Sequence, residues 1–180
     1  MTADEVLTFW FHEIAPSQWW AVDEAFDAQL RARFGGLLSQ AAQGELHAWR
    51  SSVRGRLAEV IVLDQFSRNI HRGTPQAFAQ DAMALALSQE AVAGGALQAL
   101  GEPLERTFLL MPYMHSESAR IHVEAEALFK AWAPENNHDY ELRHKAIIDR
   151  FGRYPHRNQI LGRLSTDEEL AFLREPGSSF

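Results

Sequence analysis

The chain has 180 residues, 46% hydrophobic and 23% charged, with a formal net charge of -7, which suits one soluble domain with a sizeable core. A pI of about 5.6 argues against a nucleic-acid partner, which needs a basic face. There is no cysteine, so disulfides and thiolate metal sites are excluded, and any metal would need His, Asp or Glu.

No segment supplies the roughly 20 apolar residues of a membrane span. The most apolar stretch, Leu57 to Leu63, is interrupted by Glu59. The opening "MTADEVLTFW" lacks the basic region and apolar run of a signal peptide, so a cytoplasmic location is expected.

Helix signals then follow in chain order. Thr2 or Asp4 caps a first helix reaching about His12, with Val6, Leu7, Trp10 and Phe11 on its apolar side. "SQWWAVD" reads as a turn that brings two tryptophans, Trp19 and Trp20, toward the core. Phe26, Leu30, Phe34, Leu37, Leu38 and Ala41 repeat at helical spacing ahead of Gly44. A third helix is expected from about Val53 to Asn69. "GTPQAF" starts a fourth, with Thr74 as cap and Pro75 at the first position. A fifth covers "EPLERTFLLMPYMHSES", where Pro112 kinks or ends it. Ser116 and Glu117 open a sixth, which runs to Trp132, and "PENNHD" is a loop. Asp139 caps a seventh that ends at Gly152, and Pro155 starts a short eighth. In "STDEELAFL" a capping box pairs Ser165 with Glu168 or Thr166 with Glu169, and residues 175–180 form a short tail. No strand alternation and no 34-residue repeat appear, so the expected fold is an all-α, single-domain array of about eight helices.

The informative positions are polar residues on apolar stripes. Asp64 falls three and four residues after Ile61 and Val60, where a hydrophobe belongs, and Arg68 lies one turn further on the same face. A lone buried carboxylate is costly, so Asp64 needs a partner. Either the two form a structural ion pair, or "LDQFSRNIHRG" is the polar wall of a pocket. In the second case Arg68, Asn69 and Arg72 hold an anion and Asp64 orients an arginine or acts as a base. Thr74 capping is the plainer reading of the turn at Gly73.

In "MPYMHSESARIH", helix capping accounts for Ser116 and Glu117. His115, His122 and Glu126 fall at i, i+7 and i+11, but seven residues is about 10 Å along a helix. That is too far for two imidazoles on one ion, so no metal is assigned. His144 shares a face with Tyr140, Ile147, Ile148 and Phe151, the usual setting of a satisfied core histidine.

The stretch "RFGRYPHRNQILGR", Arg150 to Arg163, carries four arginines, one histidine and no acid. Gly152 ends one helix there, and His156, Arg157 and Asn158 occupy the first turn of the next. Cations at a helix N-terminus are unfavourable, so a compensating carboxylate or a bound anion is expected.

Five stretches, "VLTFWF", "LDQFSRNIHRGTPQAFAQD", "MPYMHSE", "HKAIIDRFGRYPHRNQILGR" and "ELAFLREPGSSF", resemble the bacterial domain-of-unknown-function family numbered 924 from about Val6 to Phe180. That resemblance implies a tetratricopeptide-like fold of antiparallel helix pairs and no assigned activity. Its polar motifs fall on Asp64, Gln65, Arg68, Asn69 and Arg72, then on His115, Ser116, Glu117 and His144. They continue through Arg150, Arg153, His156, Arg157 and Asn158, and leave out His122.

Two functions are compatible with these residues. One is a scaffold or interaction domain with an internal Arg/His/carboxylate network and a protein partner. The other is a small-anion pocket, binding protein or enzyme. There Arg68, Asn69, Arg72, Arg150, Arg153, His156, Arg157 and Asn158 hold a phosphate or carboxylate metabolite. His115, Glu117, His144 and Asp64 then handle protons. No cofactor is implied, because the Walker loop, dinucleotide fingerprint and H-E-x-x-H motifs are all missing. The scaffold ranks first, since a fold does not dictate a reaction. The deciding feature is whether the arginines meet carboxylates of their own chain.

Overall fold

The chain caps its own first helix. In this computed structural model, which describes residues 1–179, Thr2 and Glu5 bond each other's backbone amides and close a capping box on α1 (Ala3–Thr8). The helix widens into a π-turn over Phe9–Glu13. Pro16–Trp19 then form a 3-10 turn rather than an open one, and the Trp19 indole donates to the Trp10 carbonyl at 2.9 Å. Asp23 caps α2 (Glu24–Ala42) through the amides of Ala25 and Phe26.

Ser52 caps α3 (Val53–Ile61), which runs through a π-turn (Val62–Phe66) into α4 (Ser67–Ile70). Every residue from 57 to 70 except Arg68 is buried, so this stretch is the central helix of the fold, covered on all sides. Around it lie α5 (Asp81–Ala93), α6 (Ala96–Ala99) and α7 (Pro103–Met114). Then follow α8 (Ala119–Trp132), α9 (Glu135–Phe151) and α10 (Asp167–Phe172). α3 packs on α1, α5 and α7, and α8 packs on both α7 and α9. The described residues contain no strand.

Five boundaries differ from the sequence reading. The expected eighth helix at Pro155 is a three-residue 3-10 turn (Pro155–Arg157). Thr74 does not cap with its side chain. Its hydroxyl donates to the His71 carbonyl, Pro75 opens a 3-10 turn (Pro75–Phe78), and α5 starts only at Asp81. α8 starts after Ser118, which leaves Ser116 and Glu117 outside it. α9 starts after Pro134, so "PENNHD" is largely helical and Asp139 is interior. Ser178 folds back, and its hydroxyl donates to the Leu173 carbonyl at 3.2 Å, so the expected tail is anchored there. Phe180, its last residue, lies outside the described residues. Other signals held: α7 ends two residues after Pro112, Gly152 adopts φ 68° as the α9 cap, and Thr166 forms its box with Glu169.

The main core centres on aromatic rings. Phe34 sits 4.8 Å from both Phe9 and Phe66, and Trp10 meets Phe108 edge-on at 5.5 Å. Trp10 and Trp19 are buried and Trp49 is half-buried; of the two tryptophans expected to turn toward the core only Trp19 does, and Trp20 lies exposed over Phe108. A smaller cluster, Ile147, Ile148 and Tyr154 with Phe151 and Phe172, joins α9 to α10.

Gly55 lets α3 approach the carbonyl of Trp49, where a Cβ would collide with backbone, whereas Gly36 on the exposed face of α2 faces open space. Thermal denaturation is therefore expected to show Gly55→Ala destabilised by about 1–3 kcal/mol. Gly36→Ala is expected to gain about 0.5–1 kcal/mol.

Candidate functional site

The π-turn in the central helix carries Asp64 into the interior, 1% exposed. Its carboxylate is saturated by neighbours. Arg68 Nη1 lies 3.0 Å from Oδ1, His115 Nδ1 lies 2.8 Å from the same oxygen, and Gln65 Nε2 donates to Oδ2 at 2.6 Å. Burial alone would raise this carboxyl, but the Arg68 charge, His115 and the hydrogen bonds from His115 and Gln65 hold it below the ordinary carboxylate range. The ionised oxygen needs a donor, so the His115 proton sits on Nδ1 and Nε2 is an acceptor. Burial and the nearby Arg68 charge lower the His115 pKa, which keeps the ring neutral.

Arg68 also forks onto Asp81, the first residue of α5, with both bonds at 3.0 Å. The same carboxylate accepts from Arg157 Nη1 at 3.1 Å, while Arg157 Nη2 donates to the His115 carbonyl at 3.0 Å. The Arg157 guanidinium lies between the rings of Phe78 and Tyr154, 4.6 and 4.8 Å away. Asp81 thus joins the central helix to the segment after α9, with Arg157 lying 76 positions further along the chain than Asp81.

The four arginines of the basic stretch each meet an acid from outside it. Arg150 pairs with Glu168, Arg153 with Glu169, Arg157 with Asp81 and Arg163 with Glu117, at 2.9, 2.6, 3.1 and 2.6 Å. Glu117 also accepts from the Tyr154 amide at 2.7 Å, so it clamps the segment after Gly152 instead of capping α8. Asn158 links Ser165 and Arg163. Hydrogen bonds from Arg153 bring Glu169 down to about 2.

The other sequence-selected residues lie elsewhere. Arg72 and Asn69 both bind Asp27 of α2, at 2.6 and 3.0 Å. His144 donates through Nδ1 to the Tyr140 carbonyl at 2.7 Å and does not line the pocket below. His156 tilts against Tyr154 with ring centroids 5.7 Å apart. His122 uses both ring nitrogens on protein, 2.7 Å from Glu141 and 2.8 Å from the Ser116 carbonyl, and sits on α8 apart from His115. No group of three or more metal-binding side chains occurs among the described residues. Asp27, Asp81, Glu141, Tyr154 and Arg163 were missed as site residues, because their partners lie many positions away and leave no periodic signal.

Where these elements meet, a pocket of about 420 Å³ opens, walled by Phe78, Asp81, Leu85, His115, Glu117 and Arg157. Pro75, Pro112, Ser116 and Leu161 also line it. His115 Nε2 has no hydrogen-bond partner among the described residues, and Asp64, outside the lining, holds the ring through Nδ1.

The comparisons with known proteins follow the same helices. The family model described as bacterial protein of unknown function (DUF924) matches residues 6–177. The chain belongs to this family. A solved structure of ATU0120 from Agrobacterium tumefaciens, a protein of unknown function, superposes on this DUF924 chain with a TM-score of 0.89. The two are 34% identical, and the match covers 96% of each. No curated protein matches the chain. No helix among the described residues is long and apolar enough to cross a membrane.

The pH dependence of this DUF924 chain follows from its buried histidines. Burial lowers His144 to about 3 and, with Arg157, His156 to about 4, while unfolded histidine titrates near 6.5. Between those values the unfolded chain binds more protons, so stability is full above pH 6.5 and falls as pH drops toward 4. The slope is about 1.4 kcal/mol per pH unit per histidine. Glu141, raised by burial, opposes part of it. Urea midpoints at pH 7.5 and 5.0 check this, with the lower midpoint expected at 5.0. Equal midpoints would show that the histidines are not held neutral.

Proposed function

We propose that the protein is a non-catalytic helical scaffold. In it an internal Arg/His/carboxylate network pins residues 152–164 to the helix ends and builds one wall of a recognition pocket. The supporting observation is the pairing. Arg68, Arg72, Arg150, Arg153, Arg157 and Arg163 each contact an acidic side chain of the same chain. An anion site needs guanidinium charge to spare. Around the pocket three carboxylates (Asp64, Asp81, Glu117) balance three guanidiniums (Arg68, Arg157, Arg163). The reading takes the chain as one domain of tetratricopeptide-like helix pairs, acting in the cytoplasm, with a small molecule or protein as partner.

One observation favours the small-anion alternative. Arg157 is 4% exposed, and its Nε has no hydrogen-bond partner. Thermal shifts in phosphate against chloride of equal ionic strength separate the readings. The scaffold predicts wild-type melting temperatures within about 1 °C of each other, since no ligand linkage operates. It also predicts that Arg157→Met melts roughly 4–8 °C lower in both salts, from the loss of about 2 kcal/mol of charged hydrogen bonding. Stabilisation of the wild type by several degrees in phosphate, absent in the variant, would overturn it in favour of anion binding.

A further inference from the structure

The pocket's chemistry is more specific than its size. We infer that it takes a small neutral ligand with an apolar body and a hydroxyl head that donates to His115 Nε2. This deepens the reading of the pocket as the recognition surface and rests on it.

The volume, about 420 Å³, falls in the range of small-molecule sites. Most of the lining is apolar, with Pro75, Phe78, Leu85, Pro112 and Leu161 around the walls. An apolar body therefore fits there, by simple burial. The polar groups are few and fixed. His115 is 7% exposed and lines the pocket, Asp64 orients its ring at 2.8 Å through Nδ1, and its Nε2 has no partner among the described residues. A carboxylate-bound Nδ1–H leaves Nε2 as an acceptor, because the neutral ring carries only one proton.

Charge decides between possible heads. The three carboxylates and three guanidiniums around the pocket cancel, so an ion of either sign would unbalance a partly desolvated site. A carboxylate head meets the Nε2 lone pair and the acids Asp81 and Glu117. An ammonium head satisfies Nε2 but meets Arg157, which lines the same wall. A hydroxyl can donate to Nε2 while its oxygen stays free to accept from a guanidinium N–H. The inference does not rest on Arg157 Nε, which is buried without a hydrogen-bond partner.

Four probes share one apolar body: toluene, benzyl alcohol, benzylamine and benzoate. Binding is followed at neutral pH by titration, together with the ¹⁵N resonances of the His115 ring. Benzyl alcohol is expected to bind roughly tenfold tighter than toluene, the worth of one added hydrogen bond. It is also expected to shift Nε2 while Nδ1 stays protonated, and to outbind both ions. Leu85→Trp fills the pocket without touching the dyad, and all binding should disappear. His115→Phe should retain toluene and lose the tenfold preference for the alcohol. If that variant does not fold, the wild-type ring resonances and Leu85→Trp still decide. Equal affinity for toluene and benzyl alcohol, or no binding by any probe, would overturn this inference and leave the pairing network standing. Tightest binding by benzoate, lost in Arg157→Met, would overturn both it and the scaffold reading.

Discussion

An ionised carboxylate in the middle of a protein demands compensation, and the fold is organised around meeting that demand at Asp64. Desolvation of such a group costs several kcal/mol unless counter-charge and hydrogen bonds surround it. Arg68 supplies the charge from one turn away, Gln65 one hydrogen bond, and His115 another from the end of α7. Each compensating group then has its own remaining valence to satisfy. Arg68 turns its second edge to Asp81, Asp81 accepts from Arg157, and Arg157 returns to the backbone of His115. The circuit closes over the central helix, the start of α5, the end of α7 and the segment after α9. A second clamp, Glu117 with Arg163 and the Tyr154 amide, holds the same segment a few residues along.

Buried ion pairs of this kind are weak evidence for net stability, since apolar replacements often do as well. What they specify is position. The segment from Gly152 to about residue 164 is held in one place by directional contacts that accept few alternatives. Its apolar anchor is Tyr154, fully buried, whose hydroxyl donates to the Met114 carbonyl at 2.5 Å. The pocket exists because this segment cannot settle elsewhere. Membership of the DUF924 family and the likeness to the Agrobacterium protein carry the fold and no reaction with it.

The features legible in the sequence were the local ones. Asp64 and Arg68 stand one turn apart, so their meeting could be read from helical spacing. Gly152 as a helix end and the Thr166–Glu169 box were likewise written in adjacent residues. The positive run from Arg150 to Arg163 posed the right question, whether the charge is answered internally. Most of the answer was not legible, because Asp81, Glu168 and Glu169 are ordinary surface-type residues until tertiary packing brings them in. Boundaries failed for a related reason. Ser116 and Glu117 carry the side chains of a helix start, yet Glu117 is drawn toward Arg163 and Tyr154, so α8 begins later. Pro134 serves as the cap of α9, which puts the polar run that resembled a loop inside its first turns.

The link between Asp81 and Arg157 is the one on which the wall of the pocket depends. A double-mutant cycle with Asp81→Leu and Arg157→Met, read from urea denaturation, measures it directly. The account predicts a coupling energy of about 1–3 kcal/mol, typical of contacting residues in one network. Additive effects within about 0.5 kcal/mol would contradict it, because the segment after α9 would then be held by something other than its pairing with the chain's own carboxylates.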